Sequence, residues 1–394
     1  MRLYWNRPTG VDRVCVAYLQ AIVGAPEPCF GLARTRFGYL LLDRVGMRAL
    51  LARLRGDVAW GQRSVGVEML CRIAGSMRPA AEAELRRLCI GRATPSFLSR
   101  MLRRHLPEAT VYVNVDHANL GARKLHAIRE LTGARITVFV HDTIPLDHPE
   151  LQTPESREKF AAFLRLVQSQ ADLILTNSQV SRDAILRHGS TNAPEVVVAH
   201  LGVETPVASD VSDLKLPDRY VMFLGTIEPR KNLSMLLDVW DRMVETRAED
   251  DIPHLVICGR RGWMVDELTA RLDASPLRGK LLHEFNDLDD AQIFGVLRGA
   301  RAMVYPTLVE GYGLPAVESA MLGTPLICND LPVIREILQK YPIYAKVSDS
   351  YSWETAILSL AAKQPASERT GGQTEIRFEP PSWDAHFNTV LKVT

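Results

Sequence analysis

The sequence predicts an α/β protein of two doubly wound, Rossmann-like domains facing each other across a cleft. Three observations predict it. Near-continuous apolar, β-branched runs recur along the chain with helical patterns between them, as expected of parallel strands covered on both faces. These runs fall into two series, parted by the polar, proline-containing stretch 203–218. The residues just past the strand ends are rich in glycine, histidine and charge, and open parallel sheets bind ligands outside the carboxyl ends of their strands.

The first series comprises candidate strands at 2–5, 37–42, 111–115, 136–140, 173–175 and 196–199. The second comprises 220–224, 255–258, 280–285, 302–305 and 325–328, and a last helix is expected at 382–392 after the Gly/Pro-rich segment 371–381. A chain of 394 residues is long enough for two cores. The expected division is 1–204 for an acceptor-side domain and 205–380 for a nucleotide-side domain. Residues 381–394 then form a helix that packs back toward the first domain.

Composition narrows the class. The chain is 46% hydrophobic and 24% charged, the profile of a soluble globular protein. It has no apolar run of about 18 residues, and its first ten residues lack the apolar core of a signal peptide. A cytoplasmic location is therefore expected. Six cysteines lie scattered with no CxxC pair, which reads as thiols in a reducing compartment. Residues 1–140 hold 22 Lys and Arg against 10 Asp and Glu, whereas the rest holds 25 against 36. Such a basic half either meets an anionic partner or carries its arginines on solvated helix faces. The net charge of +1 and the absence of a recognised module disfavour nucleic acid.

The strand-end residues are Arg7 to Gly10, Asp116 and His117, His141 and Asp142, Gly225 and Thr226, Gly259 and Arg260, and Thr307 to Glu310. The stretch EGYGLPAVE, 310–318, is the most informative. Pro315 suits the first position of a helix, where its missing N–H costs nothing. That helix start should leave the N–H groups of Ala316 and Val317 free for an anion, with Gly311 and Gly313 letting the backbone come close. Glu318, in the first turn, points back toward the N-terminus and can reach hydroxyls of a sugar attached to a bound phosphate. Dipole compensation accounts for Glu318 equally well at this stage. In the stretch 220–240, Arg230 and Lys231 follow a strand and a glycine turn just before a helix. Two cations disfavour a helix N-terminus unless something negative offsets them, and a diphosphate would.

FLGTIEPRKN together with VYPTLVEGYGLPAVESAMLGTPLICND resembles the retaining glycosyltransferases of the GT-B fold, family four (glycosyl transferases group 1). VFVHDTIPLDHPE and ADLILTNSQVSRDAI extend the resemblance into the first half, and PTGVDRVCVAYL resembles the first loop and helix of a TGVDRV-type bacterial branch. These pieces span most of the chain in the family's order, although residues 44–108 match nothing in it and the first loop is short. The resemblance implies that Arg230 and Lys231 bind the diphosphate of a nucleoside-diphosphate sugar. It implies that Glu318 holds the ribose, and that Glu310 contacts the donor sugar. Gly313 and Leu314 offer backbone N–H groups, and Gly10 approaches the phosphates from the opposite domain. His141 sits by the reacting carbon. Gly225, Thr226 and Gly311 complete the donor side, and Asp116, His117 and Asp142 are acceptor-side candidates.

No metal or other cofactor is expected, since two cations and a helix start are suited to a leaving diphosphate. Asp287-Leu288-Asp289 looks like a DxD metal motif, but Asp289 precedes a helical stretch at 290–299 and suits an N-cap. Retention is implied, with front-face displacement and the leaving phosphate taking the acceptor's proton. The expected partners are a nucleotide sugar and a glycan or lipid-linked acceptor in bacterial surface-polysaccharide assembly, with a mannose donor as first choice. The stretch 84–106 alternates cations with apolar residues. It is either an amphipathic core helix or a surface for peripheral contact with the inner membrane. Three rivals stand beside this reading: a sugar-nucleotide epimerase of the same fold, a catalytically silent scaffold, and an NAD-dependent oxidoreductase. The last lacks a GxGxxG after its first strand.

Overall fold

The computed structural model describes residues 9–35, 37–62, 78–117, 120–189, 193–363 and 378–394. Two parallel sheets dominate it. In the first half, strands β4 (Val111–Asn114), β5 (Arg135–Phe139), β6 (Leu173–Thr176) and β7 (Glu195–Val198) pair in that order, all parallel. In the second half, β8 (Tyr220–Leu224), β9 (His254–Cys258), β10 (Leu282–Phe285), β11 (Met303–Tyr305), β12 (Leu326–Cys328) and β13 (Ile343–Tyr344) form a six-stranded sheet. Its spatial order is β10-β9-β8-β11-β12-β13. The order therefore reverses between β8 and β11, which makes the carboxyl ends of those two strands the switch point where an open sheet binds ligands. β6, β8, β11 and β12 are buried throughout, which is why they read as unbroken apolar runs.

The run at 37–42 is not part of the parallel series. It forms β2 (Gly38–Leu42), paired antiparallel with β1 (Gly31–Thr35) and β3 (Gly91–Ala93) in a separate three-stranded sheet. Two residues join β1 to β2, too few for the crossover that a parallel pair requires. The run at 2–5 lies outside the described residues, as does most of the segment 371–381. The basic stretch 84–106 is not one helix. It breaks into the end of the helix Arg78–Leu88, then β3, a single 3₁₀ turn at Pro95–Phe97 and the helix Leu98–His105. Asp289 caps the helix Asp290–Gly299, with its side chain accepting from the Gln292 N–H while Gln292 reaches back.

The segment 199–211 has no helix or strand. The last helix, Trp383–Val393, lies against the first half. Its buried His386 receives the Tyr18 hydroxyl at 2.8 Å and faces the carbonyls of Ala199 and His200 at 3.2 and 3.0 Å. Those carbonyls need a donor, so Nδ1 carries the proton and Nε2 accepts from Tyr18. One buried cluster continues from Val14, Tyr18, Phe139 and Leu173 to Tyr220, Met222, Met303 and Tyr312. Among the described residues no helix is long and apolar enough to cross a membrane. Five described cysteines are free thiols.

Candidate functional site

β8 ends at Leu224 and delivers the chain through Gly225 and the exposed Thr226 to a 3₁₀ turn at Pro229–Lys231. β11 ends at Tyr305 and leads through Thr307 to Glu310. The switch point thus brings both motifs together around one carboxylate. Glu310 Oε1 contacts the Lys231 ammonium, the Arg230 guanidinium at 2.7 Å, the Tyr305 hydroxyl at 2.7 Å and the Thr307 hydroxyl at 3.1 Å. Arg230 also pairs with Glu228, Nε to Oε1 at 2.6 Å. The Lys231 ammonium also donates to the Tyr305 hydroxyl oxygen at 3.0 Å and lies over that ring.

Burial governs the electrostatics. It would push the Glu310 carboxyl up, but the Arg230 and Lys231 charges outweigh it and hold the group well below the usual carboxylate range. Burial pushes the Lys231 ammonium down, with Glu310 opposing, and pushes the Glu228 carboxyl up against the pull of Arg230. Asp142, from the first half, is also raised by burial, and Arg230 is the charge that most opposes this. The two halves therefore share one electrostatic site.

Their contact is close at the 310–318 loop. The Gly311 carbonyl accepts from the Ser178 hydroxyl at 3.0 Å. A Cβ on Gly311 would stand 2.8 Å from Asp142 Cβ and 3.1 Å from the His141 carbonyl oxygen. We expect Gly311→Ala to destabilise the protein by about 1–3 kcal/mol, read as a lowered midpoint in denaturant. An unchanged midpoint would show that the halves do not meet this way in solution. Further along the seam, Glu336 accepts from the Gln179 N–H at 2.7 Å and faces His200 at 2.8 Å.

The helix that follows the loop is Leu314–Met321, capped by Gly313 in a left-handed conformation, φ 93°. Pro315 is its second residue, not its first. The expected free N–H groups of Ala316 and Val317 are not free, because both donate to the Gly313 carbonyl, at 2.9 and 3.2 Å. Closing the turn on Gly313 uses them. Leu314 stands first in the helix, so its N–H has no intrahelical acceptor. Gly10 faces this helix start: a Cβ there would lie 3.3 Å from Leu314 Cδ1. Glu318 is buried, 3% exposed at its side chain, and Arg13 from the helix Gly10–Gly24 places NH1 2.5 Å from its Oε1. That oxygen nevertheless has no hydrogen-bond partner, so the contact is an ion pair without hydrogen-bond geometry.

The remaining candidates lie on the first half's side. His141 is buried, its Nε2 3.0 Å from the Val115 carbonyl, which fixes the proton on Nε2. Burial lowers it to about 4, so it is neutral at pH 7. Its backbone N–H donates to His117 Nε2 at 3.0 Å, and burial lowers His117 to about 3. His117 thus orders the loop that carries His141 and Asp142. Asp116 neighbours both histidines electrostatically, raising their pKa values slightly against burial. Arg13, Glu228 and Tyr305 were not singled out from the sequence. Arg13 sits inside the TGVDRV stretch and Glu228 inside the PRK loop, so the signal was present. Tyr305 reads only as the end of an apolar strand.

Residues 206–375 match the family model of glycosyl transferases group 1. The serotype-specific mannosyltransferase WbdA of Escherichia coli is 28% identical over 230 residues, covering 54% of this chain and 28% of that one. The O-antigen chain mannosyltransferase RfbU of Salmonella typhimurium is 27% identical over 240 residues, covering 59% of this chain and 63% of that one. The chain thus spans less than two thirds of the length of these relatives. A solved trehalose-6-phosphate synthase superposes with a TM-score of 0.55 at 15% identity, covering 98% of this chain and 94% of that one.

Proposed function

We propose that the protein transfers a sugar from a nucleoside diphosphate to a glycan or lipid-linked acceptor in bacterial surface-polysaccharide synthesis. The match of residues 206–375 to the glycosyl transferases group 1 model and the GT-B fold support this reading. The observation that carries this reading is the cluster at the β8/β11 switch point. Two cations there, the buried Lys231 and the half-buried Arg230, are held ready by carboxylates, both by Glu310 and Arg230 also by Glu228.

In this reading the donor's diphosphate takes over Lys231 and Arg230, and its charge replaces that of the carboxylates. When the bond from the sugar's anomeric carbon to the diphosphate oxygen breaks, negative charge grows where these cations already stand. Glu310, released, faces the sugar hydroxyls. Gly10 and the Leu314 N–H close on the phosphates, and Glu318 holds the ribose. The acceptor oxygen bonds the anomeric carbon on the face the leaving group quits, and its proton passes to the leaving phosphate. Configuration is then retained. Glycosyl transfer with retention is stated for the trehalose-6-phosphate synthase neighbour. The countercharge in this scheme comes from side chains, so we propose that the reaction runs without a divalent ion.

Mannose is the favoured sugar, because WbdA and RfbU are mannosyltransferases. Peripheral contact with anionic lipid belongs to the same proposal. The apolar tips of Phe37 and Phe97 are exposed, at 44% and 60%, on the first half. Arg34, Arg92 and Arg100 are exposed near them in sequence. Apolar residues with basic neighbours suit a headgroup surface.

The test is a binding and hydrolysis screen of UDP-, GDP-, ADP- and dTDP-sugars with and without Mg²⁺, with Glu318→Ala as control. One donor should bind and turn over slowly without the metal, and the control should lose it. If no nucleotide sugar binds, the scaffold reading replaces the transferase.

A further inference from the structure

Glu318 is a buried carboxylate whose Oε1 is met by a single cation from the opposite half, Arg13. A carboxylate kept for structure is normally hydrogen-bonded, because an unpaired buried polar group is costly. Here Oε1 is out of water and its partner is the Arg13 guanidinium, in an ion pair that misses hydrogen-bond geometry. Burial pushes the group up, and the charge that opposes this most is that of Arg13. The arginine comes from the opposite half of the molecule and is one third exposed at its side chain.

Arg13 is also in an unusual place for a cation. It lies one residue past the capping box of the Gly10–Gly24 helix, in which Asp12 and Thr9 bond each other. Through Glu318 it reaches the first turns of the Leu314–Met321 helix, and Gly10 itself faces Leu314. Two helix N-termini thus converge on one space. Helix dipoles there favour an anion and disfavour a guanidinium.

We propose that Arg13 is a second donor-binding cation that changes partners: in the free protein it pairs with Glu318, and with donor bound it turns to the diphosphate. The proposal rests on the donor-site reading above. Ribose hydroxyls then donate to the Glu318 carboxylate in place of the Arg13 guanidinium. The guanidinium, freed at the mouth of the cleft, forms charge-assisted hydrogen bonds with phosphate oxygens between the two helix starts. Recognition of the nucleoside and of the diphosphate is coupled through one exchange of ion pairs. The residue on the first domain closes on a ligand held by the second.

The exchange makes a prediction that a strut between the halves does not. Affinities of UDP, GDP, ADP and dTDP, and of the matching nucleosides, are measured by calorimetry for the wild type, Arg13→Ala, Arg13→Lys and Glu318→Gln. Arg13→Ala should weaken the diphosphate bound by the wild type by about ten- to a hundredfold and leave the matching nucleoside unchanged or tighter. Arg13→Lys should recover part of the diphosphate affinity as a point charge. Glu318→Gln should weaken nucleoside and diphosphate alike. If Arg13→Ala weakens both ligands equally, or tightens both, Arg13 is a strut or a competitor and the proposal is wrong while the donor site stands. If the wild type binds no diphosphate, both fall.

Discussion

Glutamine in place of Glu310 is expected to destabilise the protein by about 3–5 kcal/mol, the cost of removing one partner from a buried ion pair. The side chain keeps its size and can still meet the hydroxyls of Tyr305 and Thr307, so lost packing does not explain the effect. What it loses is the countercharge to Lys231, which is 6% exposed, and to Arg230, which is 22% exposed. Glu228 offsets part of the Arg230 charge but is itself pushed toward the neutral form by burial. The pH dependence has a definite sign. Glu310 is held below its ordinary value in the folded protein, so its stabilisation is fully present above the unfolded-chain pKa of about 4.3. It is lost as pH falls through the folded value. Urea unfolding of wild type and Glu310→Gln at pH 7 should therefore show the full gap, and the gap should narrow below pH 4. Equal midpoints at pH 7 would mean that the cations are not buried against this carboxylate.

This cluster also shows where the sequence is legible. Tyr220–Leu224, Met303–Tyr305 and Leu326–Cys328 read as strands because both faces are buried and little competes with the apolar signal. The hairpin at 31–42 escapes that signal, since period and composition do not say whether the next strand runs parallel. Only the two-residue connection does. The candidate residues Arg230, Lys231, Glu310 and Glu318 stand out in the sequence because each sits in one short stretch of glycine, proline and charge. Arg13 and Glu228 take their meaning from contacts that the linear order hides, 305 positions apart in the case of Arg13 and Glu318. The N–H groups of Ala316 and Val317 illustrate the converse error. A helix start promises free donors, but Gly313 in its left-handed conformation turns its own carbonyl onto them.

Lys231→Ala separates the two roles that Glu310 joins. Removing the ammonium leaves the carboxylate with Arg230 at 2.7 Å, the Tyr305 hydroxyl at 2.7 Å and the Thr307 hydroxyl at 3.1 Å. The carboxylate stays compensated, and the desolvation cost of the buried ammonium disappears. Stability should therefore fall less than in Glu310→Gln. Turnover of the donor should fall far more, by about 10²–10³, the usual loss when one preorganised charge is taken from a site of developing negative charge. A preorganised charge matters most where nothing has to move to supply it. Lys231 meets that condition, since Tyr305 lies beneath its ammonium and a Cβ on Gly225 would stand only 3.3 Å from its stem. The check is single-turnover donor cleavage at saturating donor, well below the unfolding transition. If the rate falls only in proportion to lost stability, Lys231 is a structural cation and Arg230 alone faces the leaving group. If the rate collapses while the fold holds, the buried ammonium is the group that carries the departing diphosphate.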